Sequence, residues 1–184
     1  MKKTVLTFGL ISGVISSLMM LATVPFMHKM SSSEGLVIGY TAIVLSFLLV
    51  FFGIRSYRDN IGNGQITFAK AFAVGICITL ISCIFYVVTW EIVYFNFLPS
   101  DFMDKYGTQT IEKLKASGAS PAAVQVQVQH LKEFKDQYQN PLFNSLMTFI
   151  EPFPIGLVIT LISAAVLRKR TQSQPAQSPL PAPQ

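Results

Sequence analysis

The chain has 184 residues, of which 51% are apolar and only 12% charged, about half the charge of a soluble domain. With a mean hydropathy of +0.49, this excludes a water-facing globule of ordinary surface and makes the lipid bilayer the expected surroundings. The net charge of +5 does not point to nucleic acid, because the basic residues flank apolar runs instead of lining one polar face.

Four runs are long enough to cross a bilayer, which needs about 20 residues. In hydrocarbon every backbone polar group must be satisfied within its own segment, so each run is expected to be a helix. The first span covers about residues 4–27. It follows Met1-Lys2-Lys3, as a secretory signal would, but it is too long for one and no A-x-A-like site follows. The second covers 36–54 and the third 68–98.

Residues 99–141 are polar, with five lysines and five acids. Ser100 is a candidate helix cap and Gly118 a C-terminal stop. Ser120-Pro121 begins a second helix. "VQVQVQ", Val124 to Gln129, alternates as a strand would. However, Val124, Val128, Leu131, Phe134 and Tyr138 recur at helical spacing, and no partner strand is in sight. An antiparallel helical hairpin outside the membrane is expected. The fourth span occupies residues 142–170. The remainder, 171–184, is rich in Pro, Gln and Ser and is expected to be disordered.

Basic residues orient the spans. Lys2, Lys3, Arg55, Arg58, Lys70, Arg168, Lys169 and Arg170 fall on one side, offset only by Asp59. Both termini are therefore expected in the cytoplasm and the hairpin outside it. The fold class is all-α, a four-helix transmembrane bundle with an extracytoplasmic two-helix hairpin between spans 3 and 4.

Lipid tails are as apolar as leucine, so such helices associate through close approach of small residues. Three spans carry a ridge at four-residue spacing: Gly9, Gly13 and Ser17; Ala71, Gly75 and Thr79; Gly156, Thr160 and Ala164. Pro25, Pro152 and Pro154 fall near the outer ends of the first and fourth spans, where proline bends or ends a helix.

"GNGQITFAKAF", Gly62 to Phe72, resembles a bacterial membrane-protein family catalogued as domain of unknown function 4199. The similarity extends to "FGLISGVIS" in the first span, to the hairpin and to the closing "PIGLVITLISAAVLRKR". The resemblance implies a four-span bacterial inner-membrane protein. It implies no activity.

Two acids interrupt the apolar runs. Glu91 lies in "TWEIVYFNF", and Glu151 precedes "PFPIG". Lys70 to Glu91 spans ~31 Å and Arg168 back to Glu151 ~25 Å, at 1.5 Å per residue. Both are expected near the outer boundary of a core about 30 Å thick, at similar height. They mark the lipid–water interface beside Trp90 and Tyr94, or they face each other across the outer mouth and hold a proton or cation. His28 and Lys29 are the neighbours expected to join them in the second case.

No HExxH, GxSxG, P-loop or GxGxxG pattern is present, so no enzyme, catalytic residue, metal or cofactor is expected. Cys77 and Cys83 read as small packing residues. The expected function is an accessory membrane protein presenting the hairpin to a membrane or periplasmic protein. The alternative is a small proton- or cation-coupled transporter using Glu91 and Glu151.

Overall fold

In the computed structural model, residues 1–26 and 32–169 are described. They form seven α-helices: α1 (Lys2–Thr23), α2 (Ser32–Asn60), α3 (Phe68–Asn96), α4 (Phe102–Ala116), α5 (Pro121–Tyr138), α6 (Pro141–Ile150) and α7 (Pro152–Leu167). Among the described residues there is no strand, only an isolated backbone bridge between Ile66 and Lys169. His28, Lys29 and residues 171–184 lie outside the described residues.

Four segments are long and apolar enough to cross a membrane: Lys2–Phe26, Glu34–Asn60, Phe68–Asn96 and Pro141–Leu167. Large apolar side chains cover their outer flanks, among them Leu18, Val37 and Val166, which are 60%, 66% and 67% exposed. The architecture is that of a membrane protein, an all-α bundle of four spans. The second helix extends at both ends past the apolar run 36–54, because Glu34 and Arg58 suit its first and last turns. Pro25 falls in a 3₁₀ turn, Val24–Phe26, that closes the first span.

The fourth span is two helices, not one. Pro152 and Pro154 lack the N–H groups that would bond back to Thr148 and Ile150, so the ladder breaks at Glu151. Asn140 opens the first piece by accepting from the Leu142 amide at 2.9 Å.

Small residues set the helix registers. A Cβ added at Gly9 would lie 2.9 Å from Ile81, and one at Gly13 would lie 2.7 Å from Phe85. Ser17 accepts a hydrogen bond from Thr89 at 2.8 Å. These three contacts advance together in fours, so α1 and α3 run parallel. Gly75 abuts Thr160, and Gly156 abuts Thr79. That opposite progression makes α7 antiparallel to α3. The same register places Ala71 level with Ala164, both fully buried.

The start of α1, the end of α7 and the α2–α3 loop therefore lie on one face, the terminal face, and the hairpin lies on the other. Toward the terminal face the core is sealed by Val50, Ile54, Val74 and Ile78, all inaccessible.

The α2–α3 loop is tight. Gly64 takes φ +78°, beside Asn63 at +49°, the left-handed region that glycine and asparagine tolerate. A Cβ at Gly62 would collide with the Gln65 carbonyl oxygen. The loop then meets the far end of the chain. The Ile66 amide donates to the Lys169 carbonyl at 3.0 Å, and the Lys169 amide donates back at 2.9 Å. Thr67 caps α3 by accepting from the Lys70 amide.

The hairpin keeps its expected punctuation in part. Ser120 accepts from the Ala123 amide, with Pro121 in the first turn. Gly118 takes φ +82° just past α4. "VQVQVQ" is helical throughout. Ser100, by contrast, does not cap α4. The helix starts one residue later, with Asp101 at the cap position and no side-chain cap bond.

Candidate functional site

Hydroxyl and amide groups line the inside of the bundle. Ser12 donates to the Ser46 carbonyl at 2.9 Å, linking α1 to α2. Thr79 and Thr160 share a hydrogen bond at 3.0 Å between α3 and α7. Ser82 donates to the Ile78 carbonyl at 3.0 Å. Among the described residues no buried side-chain nitrogen or oxygen lacks a partner, as hydrocarbon surroundings require.

Toward the hairpin lies a cavity of about 10 Å³, bounded by Ile43, Phe47, Tyr86 and Pro152 together with Ser16, Ser46 and Ser82, and its accessible wall is almost wholly apolar. That is the room of about one water molecule. Above it, the Tyr86 hydroxyl donates to Glu151 Oε2 at 3.2 Å. The break between α6 and α7 is what places a carboxylate at this spot, on the positive end of α7.

Glu91 stands elsewhere. Its Oε1 accepts from the Ser145 hydroxyl at 2.8 Å. From Tyr86 to Glu91 along α3 is ~7.5 Å on the standard helical rise. The two carboxylates thus bind separate hydroxyl donors more than one turn apart, both across the α3–α6 seam.

Between and above them, α3, α5 and α6 are joined by a lattice that moors the hairpin. Trp90 Nε1–H donates to the Tyr138 hydroxyl at 3.0 Å. The Tyr138 and Thr148 hydroxyls lie 3.4 Å apart. Asn144, fully buried, donates from Nδ2 to the Tyr138 carbonyl and accepts from Thr148 on Oδ1. Gln139 donates to the Tyr94 hydroxyl.

Rings fill the remaining space. Tyr94 meets Tyr138 edge-on at 5.2 Å, and Phe102 lies against both Trp90 and Tyr94. Burial pushes the Tyr138 hydroxyl above its ordinary pKa, so it remains protonated as a hydrogen-bonding hub. Within the hairpin, Lys135 of α5 pairs with Asp104 of α4, and that contact raises the Lys135 pKa.

The small-residue positions Gly9, Gly13, Gly75, Thr79, Gly156 and Thr160 lie in the helix seams with Ser17, Ala71 and Ala164. Among the described residues no group of three His, Cys, Asp or Glu side chains could hold a metal ion. Cys77 and Cys83 are free thiols.

Sequence reasoning missed Tyr86, Ser145, Tyr138, Asn144 and the serines of the cavity. A signal was present. Ser12 with Ser16, Thr79 with Ser82, Tyr86 and Thr89, and Asn144 with Thr148 repeat at three or four residues inside apolar helices. That spacing gives one polar stripe per helix.

No curated protein matches the chain, and no solved structure matches it. A family model described as "Protein of unknown function (DUF4199)" matches residues 7–169. That match takes in most of the first membrane segment, the other three, the hairpin and the Ile66–Lys169 bridge, and the chain belongs to this family.

Proposed function

We propose that this is a non-catalytic accessory protein of the bacterial inner membrane, with both termini in the cytoplasm and the hairpin held out toward a periplasmic or membrane protein. One observation carries this reading. Tyr106, Val126 and Val128 project from the hairpin with 46%, 56% and 49% of their surface exposed, on helices that the Trp90–Tyr138–Asn144 lattice fixes to the spans. Exposed apolar side chains on a rigid mount favour docking over loose tethering, because less motion is frozen on binding. A photo-crosslinking amino acid at Val126 or Tyr106, activated in native membranes, is expected to give a discrete protein adduct that the same probe at lipid-facing Ile84 does not give. Identical adduct patterns from all three positions would refute the reading.

A second reading follows from the Tyr86–Glu151 pair above the small cavity: a small proton- or cation-coupled transporter. A space for about one water is not a conduit, which weighs against it. The double substitution Glu91→Gln with Glu151→Gln is expected to leave proton and cation flux in reconstituted vesicles unchanged. A clear loss of flux would reverse the order of the two readings.

A further inference from the structure

We propose that the terminal face binds the phosphate headgroup of an anionic phospholipid through Lys70, Arg168 and Lys169, gathered by the Ile66–Lys169 bridge. The inference stands apart from the role of the hairpin and rests on three observations.

The first is an excess of charge that the protein itself does not neutralise. The acid of this face, Asp59, is committed to Arg55 and Arg58, at 3.6 Å and 2.7 Å. Among the described residues Lys70, Arg168 and Lys169 take part in no ion pair, and all three are exposed. The second is the fold. The reciprocal hydrogen bonds at Ile66 hold the end of α7 against the start of α3. Lys70, in the first turn of α3, thereby lies about one helical turn from the bridge that holds Lys169, almost a hundred positions away in the chain.

The third is the depth. These cations stand where two apolar spans end. Phe68 and Val166, beside them in sequence, are 41% and 67% exposed. An ion from solution would meet only the charges. A lipid meets the charges with its phosphate and the flanking apolar side chains with its acyl chains. Cations at the end of a span attract anionic headgroups within a Debye length, and close pairing with phosphate oxygens adds directional hydrogen bonds.

The test uses the full chain in mild detergent, titrated with short-chain phosphatidylglycerol or phosphatidylcholine, with retained lipid counted by native mass spectrometry. The native protein is expected to retain phosphatidylglycerol in preference. The triple substitution K70Q/R168Q/K169Q is expected to weaken that retention by about tenfold or more. The hairpin substitution K113Q/K115Q/K132Q, which removes as many positive charges, is expected to leave it intact.

The backbone bridge does not depend on these side chains, so the melting temperature in phosphatidylcholine should be unchanged. If the triple variant melts early, K70Q alone serves, with a smaller loss in the same direction. Equal retention by native protein and variant overturns the proposal. So does equal loss in the hairpin variant, and so does displacement of the lipid by inorganic phosphate at matched concentration, which would mark a site for the free ion.

Discussion

Gly13→Leu will separate α1 from α3 and destabilise the bundle by on the order of 3 kcal/mol, the upper range for overpacking. The position admits no side chain. An added Cβ alone comes within 2.7 Å of Phe85 Cγ and 2.8 Å of its Cβ. The ring tip can swing aside, but the Cβ is fixed to the α3 backbone, so only movement of a helix relieves the contact. That movement also strains the neighbouring contacts at Gly9 and Ser17, which share the seam. Gly39→Leu is the control, because no described atom lies within 4 Å of its added Cβ. It should leave stability unchanged or raise it slightly through helix propensity. Unfolding of purified protein in a mixed-detergent titration measures both, and a Gly13→Leu midpoint equal to that of Gly39→Leu would sink the assigned register.

Asn144→Leu is the second large effect, and its signature is regional. The side chain is fully buried and ties the Tyr138 carbonyl to the Thr148 hydroxyl. Leucine fills a similar volume, so no cavity opens, but it leaves those groups without their partner. Loss of one partner from a buried polar pair costs about 1–3 kcal/mol. Because the lattice joins α5 to α6, the cost should fall on the mooring. Amide hydrogen exchange is expected to quicken across Phe102–Tyr138 while exchange in α1 and α2 stays slow. Uniform quickening would show that Asn144 supports the whole bundle, and none would show that the hairpin is held by its rings alone.

Much of this arrangement is legible from residue types because hydrocarbon is a demanding solvent. Four apolar runs had to be helices, and Ser120, Pro121 and Gly118 mark the hairpin turn by local chemistry that needs no tertiary partner. The partners of the helices were not legible. The ridges on α1, α3 and α7 have the same four-residue spacing, so spacing alone cannot say that Gly13 meets Phe85 or that Gly156 meets Thr79.

The break at Glu151 was half legible. Pro152 and Pro154 announce a bend, but its depth follows only once α7 is set against α3. The carboxylates were visible as anomalies of composition. Their donors, Tyr86 and Ser145, were not, since a hydroxyl in an apolar helix is ordinary until its neighbour is known.

The Ile66–Lys169 bridge bears on biogenesis. Ile66 leaves the ribosome long before Lys169 is made, so the first three spans must enter the membrane with their loop unlatched. Release of the fourth span from the insertion machinery then supplies the backbone of Lys169 that latches it. Any premature stop upstream of Lys169 would leave an open intermediate that quality-control proteases can recognise.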